Sequence, residues 1–215
     1  GVSLSEAYGQ VCRGARRHGA LVAASGFVFY LLSACTGTLV DALCAAGIAQ
    51  SRTHPREDFM ALVNCETRGH VAIVTLNRPE ARNAISPEVA VRLADAWCDV
   101  RDDDGVRVCI VTGTCNTFCA GADLGQLIPM MTGARKPENE WDERVAKEPG
   151  IPARALLRNF DPVKPVIAAI NGHAIAGGME LVQGTDIRIA CPEAKFGVQE
   201  AKWAVFPAGG STVRL

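Results

Sequence analysis

An α/β fold with crossover connections is what this sequence predicts, and three observations carry the expectation. Apolar, β-branched runs of strand length occur at residues 70–76, 106–112, Val166–Ile170 and Ile187–Ala190. A helix-period stretch with clear start and stop signals separates the first two runs, and a glycine turn separates the third from another helical stretch. Strands joined through helices pair in parallel, because a parallel neighbour needs a crossover of about a dozen residues or more, whereas an antiparallel one needs only a hairpin.

Each element has a local reason. Residues 60–76 open with Met-Ala-Leu-Val and read as a compact start followed by a hairpin strand that closes at Asn77-Arg78-Pro79. Ser86-Pro87-Glu88 supplies an N-cap, a proline at the first helical position and an acid in the first turn. Val89, Leu93, Ala96, Trp97 and Val100 then recur at helical spacing until Asp102-Asp103-Asp104-Gly105 stops the helix. Between 125 and 152 the composition loosens, and that stretch is either a mobile surface loop or a short polar helix. A loop of that length in a compact domain is often functional.

Composition narrows the classes of partner. The chain has 215 residues, 48% hydrophobic and 21% charged, so it can bury a sizeable core as one domain with an appendage. A formal net charge of −1 offers no basic footprint for nucleic acid. Nine cysteines without a CxxC pair, and without histidines at zinc-finger spacing near Cys115 and Cys119, point to reduced thiols in a cytoplasmic protein. They argue against a disulfide framework and against a metal site.

The chain changes character near residue 60. Residues 20–40 carry no charge and follow Arg13, Arg16 and Arg17, a pattern shared by membrane spans and signal peptides. Gly26, Gly37 and several Ser and Thr residues dilute its hydrophobicity, so a membrane role is disfavoured. The expectation is that Met60 is the natural initiator, that residues 1–59 are an atypical upstream extension outside the native domain, and that residues 60–215 form the domain. A targeting segment and a folded extension are the alternatives.

Three segments carry candidate chemistry. In Phe118-Cys119-Ala120-Gly121-Ala122-Asp123-Leu124, small residues after a strand let a ligand approach backbone N–H groups; a plain strand-to-helix turn explains the same residues. In the stretch from Ala169 to Val182, an apolar strand runs into Gly177-Gly178 and a helix whose first N–H groups lack partners, with Glu180 in the first turn. Such a place can hold an oxyanion and move a proton beside it. In Phe196-Gly197-Val198-Gln199-Glu200, the second acid lies 20 positions after Glu180, enough chain to return to it. Two carboxylates around one substrate can divide the labour of taking and giving protons. Glu180 alone also suits a helix start, and Glu200 alone also suits a surface.

Taken together and in this order, residues 77–84, 118–124, 169–186, 196–200 and 207–215 resemble the successive signatures of the crotonase superfamily, specifically enoyl-CoA hydratases and isomerases. The resemblance covers about residue 60 to residue 215. It implies a crotonase-like spiral of repeated ββα units, an acyl-CoA thioester substrate with no separate cofactor, and assembly as a homotrimer or hexamer. Position by position, Ala120 and Gly177 match the backbone N–H donors of the oxyanion hole, and Glu180 and Glu200 match the catalytic acids. Ala81, Arg82, Asn83 and Ala84, with Ala120, Gly121, Ala122 and Asp123, match segments lining the CoA site.

The implied reaction is syn addition of water across a 2,3 double bond, with an isomerase as the alternative within the fold and a non-catalytic acyl-CoA binding subunit outside it. Gln199 departs from the pattern, since many hydratases have proline before the second acid; this bears on substrate range. Family members continue for roughly another hundred residues as helices that cover the acyl pocket, so the resemblance implies that this chain is a fragment that stops short of them.

Overall fold

The computed structural model describes strands β1 (Leu21–Ala24) and β2 (Phe27–Leu31) together with residues 61–215. From residue 61 onward the chain repeats one plan of two strands followed by helix. β3 (Val63–Arg68) and β4 (Val71–Leu76) form an antiparallel hairpin that leads to α1 (Pro87–Asp102). β5 (Val108–Gly113) and β6 (Thr117–Cys119) lead to three short helices, α2 (Leu127–Met131), α3 (Glu140–Lys147) and α4 (Ile151–Ala155). β7 (Val166–Ile170) and β8 (His173–Ile175) lead to α5 (Gly177–Gly184). β9 (Ile187–Ala190) and β10 (Phe196–Gly197) precede a 3-10 turn, Glu200–Trp203, and α6 (Ser211–Arg214).

The strands divide between two sheets. The large one has the order β1-β2-β9-β7-β5-β4-β3, and the small one β10-β8-β6. In units two to four the first strand joins the large sheet and the second joins the small one, so the chain winds as the spiral of ββα units that the resemblance implies. Neighbours β4, β5, β7 and β9 are parallel, as are the three strands of the small sheet. β2 lies parallel to β9 and places upstream sequence at the sheet's edge; the rest of the 1–59 extension falls outside the described residues.

Local chemistry explains the elements that matter for the site. Ser86 Oγ accepts the N–H of Val89 at 3.3 Å, Pro87 occupies the first helical position, and the buried face of α1 is Val89, Ala90, Leu93, Ala94, Trp97 and Val100. Trp97 is wholly buried, and its Nε1–H donates to the Ala155 carbonyl at 3.1 Å, fixing α4 against α1. The loosely composed stretch after 125 is helical rather than open loop. Asn139 caps α3 by accepting the N–H of Asp142 at 2.9 Å, and Arg144 clamps Asp95 of α1 with two bonds of 2.6 Å. Among the described residues no helix is long and apolar enough to cross a membrane.

Trp97→Ala removes the largest buried side chain between α1 and α4 and leaves the Ala155 carbonyl without its donor. It is expected to destabilise the fold by about 3–5 kcal/mol, read as a lowered urea midpoint followed by far-UV circular dichroism.

Candidate active site

The site is built where the small sheet meets the start of α5. Ala176, between β8 and α5, has φ 50 and ψ −123, a conformation that costs a residue bearing a Cβ. Two bonds hold it there: its N–H donates to the Gly197 carbonyl at 2.7 Å, and its carbonyl accepts the N–H of Glu180 at 3.0 Å. The turn leaves the N–H of Gly177 at the open end of α5, without an intrahelical acceptor. Gly178 presses α5 onto β6 so closely that a Cβ there would lie 2.3 Å from the Cys119 carbonyl oxygen.

A second N–H reaches the same space. Ile85 and Ala122 form an isolated parallel bridge, in which Ile85 N–H donates to the Gly121 carbonyl at 2.8 Å and Asp123 N–H donates to the Ile85 carbonyl at 2.9 Å. Bonds to the residues on either side turn the N–H of Ala122 itself away from Ile85. It turns towards α5: a Cβ added to Gly177 would stand 3.4 Å from Ala122 N, and one added to Gly121, whose φ is +99, would stand 3.1 Å from Gly177 N. The backbone nitrogens of Ala122 and Gly177 therefore lie close together, and both residues line one cavity.

Ala120, expected as the second donor, does not have that freedom. Its N–H donates to the Arg82 carbonyl at 3.0 Å. The parallel bridge shifts the available N–H two residues on, to Ala122, and this is a correction to the reading from sequence, which placed Ala122 only among the CoA-lining residues.

The segments matched to the CoA site act largely as framework. Asn83 is buried; its Oδ1 accepts the N–H of Arg78 at 2.9 Å, and its Nδ2 donates to the carbonyls of Thr114 and Thr117 at 3.1 and 2.8 Å. Asp123 Oδ2 meets Arg78 Nη1 at 2.6 Å, and its Oδ1 accepts the N–H groups of Gly125 and Gln126 at 2.9 and 3.0 Å. Burial alone would raise the Asp123 carboxyl, but Arg78 and the two backbone donors outweigh it and hold the group below the usual carboxylate range. Arg78 Nη1 also bonds the Ala84 carbonyl at 3.3 Å, so the 81–84 turn and the 120–123 segment are tied into one wall. On that wall Ala122 faces the cavity, Ala81 and Ala84 are partly covered, and the Arg82 side chain is exposed.

Glu180 and Glu200 both line a cavity of about 230 Å³, together with Ala122 and Gly177. Their surroundings differ. Glu180 is buried, and its Oε1 accepts the N–H of Ser211 at 3.1 Å. Gly209 passes so close that a Cβ there would lie 2.3 Å from Glu180 Oε2. Glu200 is buried on the 3-10 turn, and neither of its carboxylate oxygens has a well-formed hydrogen bond among the described residues. Burial pushes its carboxyl upward and the nearby charge of Glu180 adds to this, against a smaller pull from the backbone N–H groups of Glu200 and Gln199.

The residues that reading the sequence missed are Gly209 and Ser211, which position Glu180, and Leu156 and Arg158, which line the cavity. The Gly209-Gly210-Ser211 run was visible, but nothing local marks it as packed on a residue some thirty positions earlier. Among the described residues, no cluster of His, Cys, Asp or Glu could hold a metal ion.

A spiral of ββα units that brings two backbone N–H groups and two buried glutamates to one cavity is the arrangement that the resemblance to the crotonase superfamily implies. The family model for enoyl-CoA hydratase/isomerase matches residues 66–215, and the chain belongs to that family. It is 47% identical over 152 residues to enoyl-CoA hydratase EchA19 of Mycobacterium tuberculosis, covering 70% of this chain and 54% of that protein. It is 40% identical over 143 residues to (E)-benzylidenesuccinyl-CoA hydratase of Thauera aromatica, covering 66% and 52%. Among solved structures, a crystal structure of enoyl-CoA hydratase from M. tuberculosis matches with a TM-score of 0.60 at 35% identity, covering 72% of this chain and 56% of the other. The chain spans about half the length of the curated relatives it matches.

Glu200 carries a stability cost with a definite sign. A carboxyl raised in the folded state contributes stability below its unfolded value, near the ordinary 4.5, and loses it as pH rises through the raised folded value. Glu200→Gln, which imitates the protonated acid, is expected to raise the urea midpoint above that window and to leave it unchanged below pH 4.5. Urea titrations across the pH range check this.

Proposed function

We propose that this chain carries the catalytic core of an enoyl-CoA hydratase, adding water across the 2,3 double bond of an acyl-CoA thioester. The observation that carries the reading is the convergence of the Ala122 and Gly177 N–H groups beside two buried glutamates in different electrostatic settings. The N–H pair faces the thioester oxygen and stabilises it as negative charge develops there in the enolate-like transition state. Fixed backbone dipoles serve this better than water, because they need no reorganisation as the charge forms.

The two acids take different parts. Glu180, held as an acceptor by the Ser211 N–H, suits the base that receives a proton from water while the hydroxyl oxygen bonds to C3. Glu200, biased toward its protonated form by burial and by Glu180, suits the acid that delivers a proton to C2. The pair holds one proton before and after: water's proton arrives at one acid as the other gives its own away. Both acids line the cavity that Gly177 lines, and addition of hydroxyl and proton to one face of the double bond belongs to the same proposal.

An isomerase shuttles a single proton along the acyl chain, and one acid suffices for that; two acids in one cavity favour hydration. The wall of residues 81–84 and 120–123 is the surface along which the CoA part lies. Self-assembly as a homotrimer or hexamer belongs to the same proposal and rests on the resemblance. A cytoplasmic setting is consistent with the free thiol state of every cysteine among the described residues. We also propose that the family's domain starts at residue 60, with β1 and β2 an addition at the edge of its sheet, a reading that the family match from residue 66 supports.

Loss of the enoyl-thioester absorbance tests the activity. Glu180→Gln and Glu200→Gln are each expected to lower turnover by about 10²–10⁴-fold with thioester binding retained. Thioester binding without turnover in the unsubstituted chain would instead mark a binding subunit. Gly209→Ala, which drives a methyl into the Glu180 carboxylate, is expected to cost about 10²-fold in kcat with a much smaller change in KM.

A further inference from the structure

The cavity that holds the two glutamates contains one cationic side chain, Arg158, and the hydration chemistry has no use for it. The two glutamates aside, the cavity lining is mostly apolar, including Leu124, Leu127, Ile128, Met131, Leu156 and Phe206, and the charges of Arg158 and Arg214 lie near enough to repel each other. Three other partly buried arginines are spent on carboxylates, Arg78 on Asp123, Arg135 on Asp142 and Arg144 on Asp95, and Arg188 and Arg214 are spent on backbone carbonyls. Arg158 has no such partner among the described residues, and its guanidinium makes no hydrogen bond there.

The backbone is bent to place it. Leu157 and Asn159, on either side of Arg158, have φ 54 and 58, the left-handed region that a leucine enters only at a cost. Arg158 N–H donates to the Ala153 carbonyl at 2.9 Å, and Arg214 Nη2 donates to the Leu157 carbonyl at 2.8 Å, so the strained segment is held from both sides. Its course also ties Arg158 to the glutamates' cavity. Leu156 meets Gly209 beside the Glu180 carboxylate, and Leu157 packs at Gly184, the last residue of α5. Leu156 and Leu157 thus reach from the Glu180 carboxylate to the last residue of α5, and Arg158, next in the chain, lines the same cavity.

We propose that Arg158 is a specificity-determining residue that pairs with a carboxylate carried by the acyl group, so that the preferred substrates are 2-enoyl-CoA thioesters bearing a second acid. This rests on the hydratase reading of the same site. A guanidinium presents paired donors in the geometry of a carboxylate, and an apolar surround strengthens the pairing. It also penalises a neutral acyl chain, which would bury the cation without a partner.

The test compares two thioesters of equal length, one ending in a carboxylate and one in a methyl group, on the full chain, Arg158→Leu and Arg158→Lys. Turnover is followed with the enoyl forms and equilibrium binding with their saturated counterparts. The unsubstituted chain is expected to prefer the carboxylate form, and Arg158→Leu to lower that preference by about 10–100-fold, with Arg158→Lys keeping part of it. Absence of any preference overturns the assignment. So does an equal loss on both thioesters in Arg158→Leu, which would mark Arg158 as a counter-ion of Glu180 or a contact to the CoA phosphates. A binding preference that depends on Arg158 with no turnover of either thioester supports the assignment and refutes the hydratase reading alone.

Discussion

The single bridge between Ile85 and Ala122 is the constraint on which the rest of this structure depends. Two hydrogen bonds to the neighbours of Ala122 rotate its own N–H out of the sheet direction and toward the first residue of α5. Everything around that point serves to keep two backbone N–H groups close together and unspent. Gly121 and Gly177 let the two chains approach, Gly178 lets α5 settle on β6, and Ala176 accepts an unfavourable backbone conformation so that the helix begins where it does. A protein normally satisfies its backbone donors, and a pair left open at the bottom of a cavity is the kind of local cost that function explains.

The acids show the same economy of means. Their side chains are identical, yet one receives a backbone N–H and the other is left without a well-formed hydrogen bond, and burial raises the proton affinity of Glu200. The chain segment that supplies the difference, residues 209–211, also contributes Gly209 to the cavity lining against the Glu180 carboxylate. The Arg78–Asp123 pair does comparable work on the other wall: it fixes the turn after Ala122 and joins it to the 81–84 segment.

Much of this was legible in the sequence, and the omissions have physical causes. Val166–Ile170, Ile187–Ala190 and the Ser86-capped helix carry strong periodicity and clear caps, and they stand where expected. β6, β8 and β10 have two or three residues each, too few for a period to register. Glu180, Glu200 and Gly177 each have a bland explanation alone and were identifiable from three segments occurring together in the order of a known family; the structure brings all three to one cavity. The choice between Ala120 and Ala122 was not, since it turns on which N–H the Arg82 carbonyl captures, a contact between segments nearly forty residues apart. Arg158 was invisible for a related reason: an arginine in a run of ordinary residues gains its meaning only from the cavity around it.

The central claim is that Ala122 and Gly177 together grip the thioester oxygen. The most direct measurement is the vibrational frequency of the thioester carbonyl, isolated by isotopic labelling of that carbon in a bound acyl-CoA. Two convergent N–H donors polarise the bond, so the account predicts a clear downshift of the carbonyl stretch on binding relative to the free thioester in water. A frequency unchanged from that in water, with binding demonstrated in the same sample, would contradict it.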